Sequence, residues 1–301
     1  MAIYAIRDLE KLTGIKAGTI RIWEQRYNLI KPKRTVTNIR YYTDEDMRLL
    51  LNIAVLNKKG IKISKISEMT SEHISDMATD VTRYDNSKHA QIDALTFAMI
   101  DMDEAAFEHV FSSHVNIDGF ERAMLDVIYP FLDKLSILWI TRSISPAHEK
   151  FVTNLIKRKL MSAIDSQNAH PSSDAATFVL YSPEGEHQEL TLLFIQYLLR
   201  LRRQRVIYLG VNTAISDLSD VCDPLRPQYI YTILQDPPPR QSVQSFLDQT
   251  AKAIGNSILL ISGAQVFSNS LRLPDNVRVV SGLEDTLFFI DQVQWRQRKI
   301  A

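Results

Sequence analysis

Cysteine is nearly absent: Cys222 stands alone in 301 residues. A lone thiol excludes disulfide scaffolds, cysteine-rich zinc sites and dithiol redox chemistry. Long hydrophobic runs are missing too. The apolar stretches are only strand-length, so no transmembrane span is expected. The first residues also lack the apolar core of a secretory signal, and the expected location is cytoplasmic. Net charge is absent as well, with 35 Lys+Arg against 35 Asp+Glu. That balance hides an asymmetry. Residues 1–70 hold 14 basic and 7 acidic side chains, and residues 71–301 hold 21 and 28. A +7 head on a −7 body fits a polyanion-binding module followed by a sensor or partner region.

The head has a readable pattern. Ala5–Ile15 is a short apolar-periodic helix running into a glycine turn, and Ala17–Tyr27 follows as a second helix. Thr19, Arg21 and Arg26 are the polar positions of that second helix able to meet base edges or phosphates. Pro32-Lys33-Arg34, a polar hairpin-like stretch and Arg40-Tyr41-Tyr42 then form a basic, aromatic-laced arm of the kind a wing lays on a phosphate backbone. Thr43 and Asp46 form a capping box with Asp in place of the usual Glu, opening a helix that Gly60 stops. A short helix over Ile61–Met69 completes the module.

Two further parts follow. Residues 90–168 carry apolar side chains at three- and four-residue spacing and predict a compact four-helix bundle, with Pro130 kinking the segment Asp118–Thr141. A polar linker, Gln167–Ser173, leads to a change of period. Strands are expected at Ala176–Tyr181, Arg205–Leu209, Gln228–Ile233, Ser257–Ile261 and Val277–Val280. Helices are expected at Leu190–Leu201, Ile215–Leu225, Ser242–Ile254 and Leu283–Val293. Strands alternating with helices imply a Rossmann-like, flavodoxin-like five-stranded parallel sheet whose ligand edge lies beyond the strands' carboxyl ends. The expected domains are 1–75 (winged helix-turn-helix), 76–170 (helical bundle) and 171–301 (α/β sheet).

The head resembles the MerR family of transcriptional regulators. It fits the pattern Thr-Ile-Arg-x-Trp-Glu-x-Arg-Tyr-x-Leu at Thr19, Ile20, Arg21, Trp23, Glu24, Arg26, Tyr27 and Leu29, then Pro32 and Arg40-Tyr41-Tyr42. The resemblance implies a dimer on a pseudo-palindromic promoter. The remainder resembles the light- and cobalamin-responsive branch typified by CarH and LitR, in which a helical cap covers a Rossmann-like cobalamin domain. That cap carries a Trp, nine residues, then Glu-His. Here Trp139 is followed at that distance by Glu149, but Lys150 comes next and the imidazole, His148, precedes it. The cobalt-ligating loop of the branch reads Gly-Glu-x-His-x-x-Gly. This chain has Gly185-Glu186-His187-Gln188-Glu189-Leu190-Thr191, with Gln188 at the histidine position and Thr191 at the closing glycine. Thr232 before Leu234 stands at the Ser-x-Leu position, and Ser262-Gly263 at the Gly-Gly position.

These residues define two sets of expectations. Thr19 and Arg21 are the best base-edge readers, because a recognition helix leads with its N-terminal residues. Arg26, Lys33, Arg34, Arg40 and Tyr42 fix register on phosphates, with Trp23, Tyr27 and Tyr41 completing the DNA-binding set. Trp23 is expected to support the module rather than stack on a base. Trp139, His148, Glu149, Glu186, His187, Gln188, Thr232, Ser262 and Gly263 form the cofactor set. Trp139 is equally a bundle-core residue, and His187 is expected on an exposed loop. Glutamine is a poor substitute for imidazole on cobalt, so the cofactor stays open: corrinoid binding and a ligand-free scaffold are both carried forward. No catalytic constellation or metal cluster is apparent in the sequence, and an enzyme of the corrinoid-mutase type is disfavoured. The expected partners are double-stranded DNA, a second copy or three further copies of the chain, and RNA polymerase at the promoter. No membrane partner is expected.

Overall fold

A computed structural model describes residues 4–34, 40–84, 88–140, 144–167, 170–239, 241–268 and 271–300. Contacts divide the chain into two compact units, Met1–Leu155 and Ile156–Ala301.

The first unit opens with α1 (Ile6–Thr13) and α2 (Ala17–Tyr27). Asp8 fixes the start of α1 by accepting the Ala5 backbone N–H at 2.7 Å. Gly14 ends it at φ +73°, a left-handed conformation that glycine adopts without a Cβ penalty. Leu9, Leu12, Ile20 and Trp23 bury the shared face of the pair. Strands β1 (Lys33–Arg34) and β2 (Arg40–Tyr41) pair antiparallel. The polar hairpin tip between them, residues 35–39, lies outside the described residues. Tyr42 forms a further bridge with Tyr4.

Helix α3 (Asp44–Lys58) begins at the expected capping box. The Thr43 hydroxyl accepts from the Asp46 N–H, and the Asp46 carboxylate accepts from the Thr43 N–H at 2.8 Å. Helices α4 (Ile63–Ile66) and α5 (Ser71–Tyr84) follow. The expected domain boundary after residue 75 therefore falls inside α5, which packs on α3. The sequence reading had no helix there.

Next come α6 (Lys88–Ile100), α7 (Glu104–Asp118), α8 (Phe120–Ala123), a π-helical turn (Met124–Ile128) and α9 (Tyr129–Ile140). Pro130 was expected to kink this segment. It sits at the second residue of α9, directly after the π turn. A proline offers no N–H to the preceding turn and crowds the carbonyl four residues back, and a wider turn relieves both problems. Three helices of the expected bundle (α6, α7 and α9) lie in the first unit. The fourth, α10 (Pro146–Asp165), runs through the division between the units.

The second unit holds β3 (Thr177–Pro183), α11 (Glu189–Leu201), β4 (Arg205–Thr213), α12 (Ile215–Leu225), β5 (Tyr229–Ile233), α13 (Val243–Ala253), β6 (Ile258–Ser262), α14 (Ala264–Ser268), β7 (Val277–Val279) and α15 (Leu283–Ile300). The sheet is parallel, in the order β4-β3-β5-β6-β7. This is the doubly wound order expected from the alternation of elements. Its order reverses between β3 and β5, the switch point where ligands of such sheets bind. One face buries Val179, Tyr181, Ile230, Leu259 and Ile261 against Leu218, Phe246 and Leu247 of α12 and α13. Apolar side chains on both faces explain why the strands read as near-continuous hydrophobic runs.

Candidate nucleic-acid interface and candidate ligand edge

The N-terminal module exposes the cations that a duplex would need. Arg21, Arg26, Lys33 and Arg34 are exposed, and Thr19 is half-buried beside them on α2. Arg26 stacks over the Tyr27 ring at 5.9 Å, a contact that limits its rotamers. Tyr41 is half-buried on β2.

Two expected DNA contacts are spent inside the module. Trp23 is 6% exposed and packs the core of the module. Tyr42 was expected on phosphates but is fully buried, and its hydroxyl donates to the Glu24 carboxylate. Burial, followed by that carboxylate, raises the Tyr42 phenol well above its ordinary ionisation range. Glu24 also draws in Arg40, whose Nε lies 3.7 Å from the second carboxylate oxygen. Glu24 thus ties α2 to β2, a role the sequence reading did not assign. Ile22 is 54% exposed on α2, between Arg21 and Trp23.

The cofactor set lies in two places. In the first unit, Trp139 is 43% exposed on α9, so the bundle-core alternative for it is not what the structure holds. His148 is buried at the start of α10 and engages Ser145 reciprocally: the Ser145 N–H approaches Nδ1, and the His148 N–H approaches Oγ, each at 3.4 Å. Glu149 is half-buried next to it.

In the second unit, the loop after β3 was expected to present its polar groups to a ligand. Glu186 instead is 2% exposed. Its Oε2 accepts the backbone N–H groups of Gln235 at 2.6 Å and Asp236 at 3.0 Å, and its Oε1 accepts that of His187 at 2.9 Å. Gln235 and Asp236 lie in the loop after β5, so the carboxylate bridges the switch-point crevice. The same two loops meet again at Gly185, where a Cβ would stand 3.3 Å from Pro239 Cδ. His187 is exposed as expected, and Gln188 is half-buried at the N-cap of α11.

The remaining members of the set are built into the sheet. Thr232 is wholly buried on the Tyr181 face, where the hydroxyls of Tyr181, Thr232 and Thr250 draw together without a well-formed hydrogen bond. Ser262 is buried on the opposite face, 3.3 Å from the Tyr231 hydroxyl. Gly263, at φ +109°, lies so close to Leu234 that a Cβ would stand 2.3 Å from its carbonyl oxygen. Among the described residues no three His, Cys, Asp or Glu side chains group as a metal site. Likewise, no described helix is long and apolar enough to cross a membrane.

Comparison with known proteins bears on the N-terminal module and on the helices that follow it. Residues 4–73 match the model of the MerR HTH family regulatory protein, and residues 91–162 match that of a B12 binding domain. The chain carries a MerR-family helix-turn-helix domain and a B12-binding-type region. That pairing is consistent with CarH- and LitR-like regulators of transcription. The HTH-type transcriptional repressor CarH of Myxococcus xanthus is 26% identical over 239 residues, covering 75% of this chain and 77% of that protein. CarA of the same organism is 24% identical over 229 residues, covering 75% and 74%. The HTH-type transcriptional regulator MlrA of Salmonella typhimurium LT2 is 33% identical over 76 residues, 25% of this chain and 31% of the relative.

The residues of the β3 loop do not fit a cobalamin held through an axial histidine. A histidine that held such a group would need its ring oriented by a neighbouring acceptor. Gln188 has no imidazole, the imidazole of His187 stands one residue early and exposed, and the buried carboxylate of the loop, Glu186, is committed to three backbone amides.

Proposed function

We propose that the chain is a DNA-binding transcriptional regulator that reads its promoter with α2 and clamps the backbone with a β1–β2 wing. The observation that carries the reading is the joint exposure of Arg21 and Arg26 on α2 with Lys33 and Arg34 on β1. Thr19 and Arg21 lie toward the N-terminal half of α2, the part of a recognition helix that meets base edges. Arg26, Lys33 and Arg34 supply phosphate contacts. Two copies on a pseudo-palindrome set their recognition helices about 34 Å apart. The helical and sheet regions serve as sensor or oligomerisation module, in a dimer or a tetramer, with RNA polymerase as the partner at the promoter.

The test is a footprint of the full chain on genomic promoter fragments, followed by titration of the selected site at several salt concentrations. Arg21→Ala should lose about 1–3 kcal/mol and relax sequence preference. Arg34→Ala should weaken all sequences alike and flatten the salt dependence by about one counterion. Unchanged affinity and specificity in Arg21→Ala would remove α2 from the reading role.

A second reading concerns the sheet. The bridge from Glu186 to the loop after β5 favours a scaffold that works without histidine-ligated corrinoid. Full chain incubated with adenosylcobalamin in darkness should emerge from gel filtration without corrinoid absorbance and with its oligomeric state unchanged. Stoichiometric corrinoid on the protein would reverse this reading.

A further inference from the structure

One stripe of α2 faces solvent throughout. Gly18, Arg21, Ile22, Gln25 and Arg26 are all exposed, at the spacing i, i+3, i+4, i+7 and i+8 that puts residues on one side of a helix. The opposite side buries Ile20 and Trp23. Two cations, an amide and a bare glycine suit the surface of a polyanion. Ile22 does not, yet it is 54% exposed in the middle of the stripe. An exposed apolar side chain is ordinary on a protein surface, but this one stands between the cations assigned above to bases and phosphates. Side chains of a helix lean toward its N-terminus, so Ile22 reaches over the turn that begins at Gly18. Nothing lies within 4 Å of the Cβ position of Gly18, and the space in front of that turn is open. The turn belongs to the N-terminal half of α2, the part that meets base edges. The side chain of isoleucine neither donates nor accepts a hydrogen bond. Of the groups that the four bases show in the major groove, the thymine C5-methyl is the apolar one.

We propose that Ile22 is a specificity residue that reads thymine, its side chain packed on the C5-methyl of one thymine in each half-site. The proposal rests on the placement of α2 in the major groove. Its chemistry differs from that of the neighbouring cations. Arg21 selects through hydrogen bonds and Arg26 adds affinity for any phosphate. Ile22 discriminates by taking a methyl group out of water.

The experiment uses the full chain on the promoter site defined by footprinting. Each thymine is replaced in turn, in both half-sites, by deoxyuridine, which lacks only the methyl group. Affinity is read by fluorescence anisotropy at fixed salt. For the wild type, replacement at one position should weaken binding about fourfold per half-site, the worth of one buried methyl group. Ile22→Ala preserves the helix, checked by circular dichroism, and should bind thymine and deoxyuridine alike at that position. Arg26→Ala should weaken binding to both DNAs and keep their ratio. A wild type indifferent to deoxyuridine at every thymine overturns the proposal, as does an undiminished thymine preference in Ile22→Ala. Arg21→Ala separates this outcome from failure of the underlying reading. If it relaxes sequence preference, only the role of Ile22 falls; if it leaves preference unchanged, α2 is not in the groove and both fall.

Discussion

Glu186 accepts the backbone N–H of Gln235 at 2.6 Å, across the crevice between the loops that follow β3 and β5. With Asp236 and His187 it makes three charge-assisted bonds from one buried carboxylate. A group in that position holds two loops in register, and three of its roughly four acceptor sites are taken by the protein's own backbone. Glu186→Gln keeps the shape but sets an NH₂ against backbone donors. A loss of about 2–3 kcal/mol is expected, read as a lower urea midpoint in the full chain. An unchanged midpoint would show that the bridge is not holding the loops.

Gly263 tests the same region by sterics. Gly263→Ala would drive a Cβ into the Leu234 carbonyl, which backbone movement alone can relieve. The expected cost is about 3 kcal/mol or more, seen as poor soluble yield and early unfolding. Gly282 is the control. Its φ of +119° is just as unusual for an L-residue, but nothing lies within 4 Å of its Cβ position. Gly282→Ala should cost only about 1 kcal/mol.

Asp93 of α6 holds two lysines at once, Lys58 of α3 and Lys134 of α9, each at 3.0 Å. Burial pushes its carboxyl up, but Lys134 and Lys58 together outweigh burial and hold it below the usual carboxylate range. Burial in turn lowers the Lys134 ammonium. Asp93→Asn should cost about 3 kcal/mol by stranding Lys134, and adding Lys134→Met should restore part of that loss. The carboxylate's contribution is present above the unfolded value of about 4 and fades as pH falls through the lower folded value. Urea midpoints of the three proteins at pH 7 and pH 3 check both statements.

Buried phenols make the opposite prediction at alkaline pH. The Tyr208 phenol is pushed up to about 12, by burial first and Glu189 second, and Tyr42 is raised by burial and Glu24. Each stays protonated in the folded chain after its unfolded counterpart ionises near pH 10. Their contribution is therefore full below about pH 10 and falls as pH rises toward the folded values. The thermal midpoint should drop between pH 9 and pH 11, and Tyr208→Phe should reduce the drop by about 2–4 °C.

Much of the architecture is local and was therefore legible. The alternation of buried strands with amphipathic helices set the five-stranded sheet, because a parallel strand needs a crossover helix before the next. Thr43 with Asp46 marked the start of α3, because an N-cap is an interaction across three residues. The motif from Thr19 to Leu29 marked α2 and its exposed cations. Helix α5 was missed although local signals mark its start, the Thr70 hydroxyl accepting the His73 N–H at 3.2 Å with Glu72 in the first turn; it packs on α3, which lies earlier in the chain. Side-chain allegiance is less local and escaped. Nothing near Glu186 in sequence says that two of its partners sit at residues 235 and 236, and nothing near Tyr42 says that Glu24 accepts its hydrogen bond. Sequence alone determined which segments could bury an apolar face. Only the packed chain decided which polar groups remained to face a partner, because a buried carboxylate or hydroxyl takes whatever donor or acceptor the tertiary structure brings within about 3 Å.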